Sequence, residues 1–109
     1  MGNVDKSRDS RQEIYEYFLA LNLESLPLKS NNLSLHNYLS FFEYPGRTKL
    51  KKPEAIAVCL SFKAAIQAGW TDDVMTLNGK VGRYWIPPNG DSTNALSPKE
   101  VSDRFRQPV

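Results

Sequence analysis

Residues 52–86 read KPEAIAVCLSFKAAIQAGWTDDVMTLNGKVGRYWI. Pro53 and Glu54 are helix-start signals, because proline lacks an amide that the first turn would leave unbonded and an acid suits the positive helix end. Gly69 is a stop signal. Between them the residues are almost all apolar or small, from Ala55 through Cys59 and Phe62 to Ala68. The stretch predicts a helix from Pro53 to about Ala68 that neighbouring elements cover on most sides. Glu54 and Ser61 fall on one narrow polar strip, Lys63 and Gln67 on another. A helix this apolar makes a poor reader of base edges, which requires exposed polar side chains.

Two runs rich in strand formers, Val74–Leu77 and Lys80–Ile86, flank Asn78-Gly79, the pair that tight hairpins favour for its positive φ angles. With a two-residue turn, Leu77 faces Lys80 and Thr76 faces Val81. One face then carries Val74, Thr76, Val81, Arg83 and Trp85, and the other Met75, Leu77, Gly82, Tyr84 and Ile86. The second face is the more apolar, so it is expected to meet the helix, with Arg83 and Trp85 outward. An exposed Arg beside a Trp is a contact pair common to protein and nucleic-acid interfaces.

Upstream, Ser10-Arg11-Gln12-Glu13 has capping-box spacing, and Ile14, Tyr17, Phe18 and Leu21 recur on one helical face. This predicts a first helix from Arg11 to about Asn22. Pro27 and the polar residues around it predict a connector over Leu23–Asn32, with its leucines on the core and room for a short edge strand. Ser34 can cap a second helix, about Leu35–Glu43, whose stripe is Leu35, Tyr38, Leu39 and Phe42. Tyr44-Pro45-Gly46 stops it. Phe41 lies off that stripe and is a candidate contact residue. Downstream, Ser97-Pro98-Lys99-Glu100 repeats the capping logic and predicts a short helix over about Pro98–Arg106.

The fold class expected is therefore α+β: a three-helix core, a β-hairpin and a short C-terminal helix, in winged-helix-like order. The 109 residues suffice for one core, placed at residues 10–106, between a flexible N-terminal arm at 1–9 and a free C-terminus at 107–109.

Catalytic sets are missing from the sequence. Cys59 is the single cysteine and His36 the single histidine, which gives neither a disulfide nor a thiolate metal cage. Asp72 and Asp73 are adjacent, and neighbours on an extended chain point apart, so they make a poor acid–base pair. There is no phosphate-binding glycine loop, nucleophile elbow or metalloprotease motif. The expectation is a chain that is not an enzyme, has no cofactor and binds no metal. No apolar run approaches the ~20 residues of a membrane span. The N-terminus is polar, and Lys6 stands where a myristoylation signal wants Ser or Thr. No membrane partner and a cytoplasmic location are expected.

The net charge of +2 is small, but Arg47, Lys49, Lys51 and Lys52 cluster just before the long helix. Two readings follow. The favoured one is a protein-interaction module, such as an adaptor, inhibitor or small subunit, with Phe41, Trp70, Arg83 and Trp85 as anchors. The alternative is a winged-helix-like nucleic-acid-binding protein that touches phosphates through Arg47, Lys49, Lys51, Lys52, Lys80 and Arg83.

Overall fold

The computed structural model describes the backbone of residues 6–106 and the side chains from Arg11 onward. Among the described residues the chain forms α1 (Lys6–Ala20), α2 (Leu35–Phe41), α3 (Lys52–Gln67), the strands β1 (Thr71–Leu77) and β2 (Lys80–Ile86), and α4 (Pro98–Phe105). The class is α+β, with helices, then an antiparallel hairpin, then a C-terminal helix. Short 3-10 turns occupy Leu23–Ser25, Arg47–Lys49 and Ser92–Asn94.

Local chemistry sets most boundaries. The first three amides of α2 are bonded: the Ser34 hydroxyl accepts from the Asn37 amide, and the Leu35 and His36 amides donate to the Pro27 and Leu28 carbonyls at 3.0 Å each. Those last two bonds tie the connector to the helix end and satisfy donors that any helix leaves free. The Glu54 carboxylate accepts from the Lys51 amide at the head of α3. Ser97 and Glu100 complete a capping box on α4. Asn78 and Gly79, at φ 53° and 79°, make the two-residue turn, which sets the pairs Leu77 with Lys80 and Thr76 with Val81.

Several expectations are corrected. Helix α1 begins at Lys6, so Ser10 lies inside it and does not cap it. Nothing between Lys6 and Asp9 breaks a helix, and the run simply extends back. The remainder of the anticipated arm, residues 1–5, and the C-terminal residues 107–109 lie outside the described residues. The connector after α1 holds a 3-10 turn where an edge strand was allowed for. Helix α2 stops at Phe41 because Glu43 adopts a left-handed conformation, φ 57°.

The largest correction is the facing of the hairpin. Trp85 has 0 % exposure and sits at the centre of the core. It stacks on Phe62 at 5.4 Å and 9°, and touches the rings of Phe42 and Tyr15. Phe18, Tyr38 and Phe42 continue this ring cluster. Its cross-strand partner Asp72 is buried too. Only the base of the hairpin meets the helices, so the base pair Asp72–Trp85 decides the facing. A count of apolar residues along each whole face gives equal weight to the distal half, which touches no core. Burying one indole outweighs burying several side chains that project beyond the body.

Candidate interaction surface

The side chains singled out from the sequence divide into those the fold takes inward and those it leaves outside. Arg83 is taken in. Its side chain is 15 % exposed and one guanidinium nitrogen lies 3.3 Å from Asp72 Oδ2. Asp72 is gripped from the other side by Arg11, whose Nε donates at 2.9 Å and whose terminal nitrogen makes a second bond. The Tyr15 hydroxyl donates to the same carboxylate and accepts from the Asp72 amide at 2.9 Å. Glu43, half exposed, stands 3.5 Å from Arg83 Nε. Two guanidiniums and two carboxylates thus balance, and a buried carboxylate is tolerated because it is paired and hydrogen-bonded.

This cluster pins α1 and the end of α2 to the hairpin base. Burial would lower the Arg11 pKa, but its contacts with Asp72 outweigh that and hold it above its ordinary value. Burial and the nearby Asp72 charge push the Tyr15 hydroxyl well above the usual phenol range. Asp72 and Tyr15 are occupied by each other and by the two guanidiniums, while the buried Arg83 Nε has no hydrogen-bond partner among the described residues. Sequence reading missed the cluster because Arg11 and Asp72 are 61 positions apart.

Phe41 is half-buried, with the Arg11 guanidinium 3.9 Å above its ring and Phe42 against its edge. Trp70 is 8 % exposed, meets Phe105 edge-on, and lines a surface cleft. Trp85 offers no surface at all. Of the four expected anchors, then, Trp70 borders the described cleft and Trp85 is closed off.

The basic run stays largely outside. Arg47 is half-buried and donates to the Tyr44 carbonyl at 3.1 Å, while the His36 Nε2–H donates to the Arg47 carbonyl at 3.1 Å. Lys49, Lys51 and Lys52 are exposed, and among the described residues none has an acidic side chain within ion-pair distance. Lys80 is exposed beside the hairpin turn, and no bond among the described residues links it to that run. Arg83 is held inside by Asp72 and so does not stand with the exposed Lys49, Lys51, Lys52 and Lys80.

The face expected outward from the sequence also carries an apolar pair not singled out there. Val74, opposite Arg83, and Val81, diagonal to it on the same face of the hairpin, are 55 % and 75 % exposed. Both valines stay outward as expected because the distal half of the hairpin projects beyond the body, although Trp85 on the same side turns into the core. The two sheet edges differ as well. On β1 the outward amides of Asp72 and Val74 are taken by the Tyr15 hydroxyl and the Asp73 carboxylate, at 2.9 and 2.8 Å. On β2, Trp85 exchanges backbone bonds with Leu96 at 2.7 and 2.9 Å. Bonding alternates along an antiparallel ladder, so Arg83 and Val81 turn their main-chain groups to the same outer side. Among the described residues nothing bonds their amides.

Among the described residues no three His, Cys, Asp or Glu side chains gather into a metal-sized group, and no helix is long and apolar enough to cross a membrane. Comparison with protein-family models gives no match, and comparison with curated proteins and with solved structures gives none either.

Proposed function

We propose that this chain is a non-enzymatic protein-interaction module whose contact element is the distal half of the hairpin. The observation that carries this reading is the exposed Val74–Val81 pair beside the unbonded outer edge of β2. An extended partner segment adds to such an edge through main-chain bonds, and apolar side chains on the adjoining face supply contact area. With the outward Asp72 and Val74 amides of β1 already bonded, addition is favoured on the β2 side. Lys80 near the turn gives this surface a basic rim. The nucleic-acid alternative retains Lys49, Lys51 and Lys52 but loses Arg83 to the buried cluster.

The test is a pull-down from native extract, with and without nuclease, at low and high salt. The expected result is recovery of a discrete protein that resists nuclease and is lost when Val81 is changed to Lys or Pro. Recovery of nucleic acid alone, released at high salt and abolished by Lys49→Ala, Lys51→Ala and Lys52→Ala together, overturns the proposal in favour of the alternative.

A further inference from the structure

At the foot of the molecule, away from the hairpin turn, a cleft of about 350 Å³ opens between Trp70, Pro87, Asn89, Asn94, Leu96 and Arg104. Its polar groups are complementary in kind and incompletely used. Arg104 lies with its guanidinium 5.6 Å from the centre of the Trp70 ring. Among the described residues it has no ion pair. Its neighbour Asp103 is instead approached by Lys99 at 3.3 Å and Arg106 at 3.8 Å. Asn89 accepts from the Asp91 amide through Oδ1 at 2.9 Å, which leaves its Nδ2 as a donor. Asn94 donates to Asp91 Oδ2 through Nδ2 at 2.8 Å, which leaves its Oδ1 as an acceptor. Asp91 is itself engaged by Thr93 and Asn94 and is not part of the cleft wall.

A cation without a counter-charge among the described residues, one amide donor, one amide acceptor and an apolar wall of Trp70, Pro87 and Leu96 match one ligand chemistry closely. We infer that the cleft binds the C-terminal residue of a partner peptide. The free carboxylate meets Arg104, the last backbone amide meets Asn89 and Asn94, and an apolar side chain lies against Trp70. A guanidinium gives a carboxylate two donors in a fixed fork, which favours this end group over a single polar atom. The cleft is separate from the β2 edge, so the two surfaces succeed or fail independently.

The test follows the Trp70 indole N–H signal by NMR during titration with an N-acetylated tetrapeptide that ends in leucine with a free carboxylate. The same peptide with a C-terminal amide and the small carboxylate phenylacetate are titrated in parallel. The Trp85 indole signal is the control for an intact core. Saturable movement of the Trp70 signal is expected, with the free acid about tenfold tighter than the amide, and Arg104→Gln is expected to abolish that difference. Arg104 is exposed, so the variant keeps the fold, and an unchanged Trp85 signal checks this. Equal binding of acid and amide, or no saturation by roughly 10 mM, overturns the inference. Phenylacetate binding as tightly as the peptide overturns the peptide assignment and reassigns the cleft to small carboxylates.

Discussion

Cys59 lies on the apolar face of α3, fully buried among core side chains, and this burial pushes its thiol from 9.0 up to about 12. The folded chain therefore keeps a proton that the unfolded chain releases, so stability is fully present below the ordinary thiol pKa and falls as pH rises through the window from 9 to about 12. Tyr15, raised by burial beside Asp72, extends the loss to higher pH. Urea unfolding at neutral pH and at ~pH 10.5 should show wild type losing about 2 kcal/mol more than Cys59→Ala over that interval. An equal loss in both proteins refutes the assignment. Trp85 presents a different balance. Its ring anchors the core, yet its buried indole N–H has no partner among the described residues. Trp85→Ala should cost about 4 kcal/mol through the cavity it leaves. Trp85→Phe should cost only about 1–2 kcal/mol, because an unpaired buried donor leaves with the lost area. Denaturant midpoints for the two variants check the ordering.

Helices α2 and α3 end in the same backbone motif. After α3, Gly69 at φ 97° donates to Ile66 and Trp70 donates to Ala65. After α2, Glu43 donates to Ser40 and Tyr44 to Leu39, with Glu43 in the left-handed position that glycine normally takes. Gly69 could be read as a stop, whereas nothing about Glu43 marks one, which is why α2 was expected to run two residues further. Its carboxylate beside Arg83 is what recommends Glu there. Glu43→Gly and Glu43→Ala both lose that half-exposed pair, but only Gly relieves the backbone. Thermal or urea unfolding should place Glu43→Gly about 1 kcal/mol above Glu43→Ala. The same division runs through the whole chain. Ser34, Pro53 with Glu54, Asn78-Gly79 and Ser97 with Glu100 act within four residues of themselves, and each marked its element correctly. The facing of the hairpin and the companions of Arg83 depend on Arg11, Tyr15 and Phe62, which no local pattern connects to it. The candidate site therefore suffered more than the fold: Trp70 stays beside an opening, while Trp85 and Arg83 moved inside.

Across the whole molecule, the Arg11–Asp72 and Tyr15–Asp72 contacts join segments 61 and 57 positions apart. Asp72→Asn should destabilise the protein by about 3 kcal/mol, since it strips the counter-charge from two guanidiniums that reach solvent only in part. The distances along the chain also give these contacts a place in time. The hairpin closes around a two-residue turn and α3 forms from neighbouring residues, whereas the cluster requires a long loop to close first. It behaves as a latch that engages after the parts it joins. In stopped-flow measurements its loss should leave the refolding arm nearly unchanged and raise the unfolding rate, which makes the cluster a determinant of how long the folded chain lasts and not of how fast it forms.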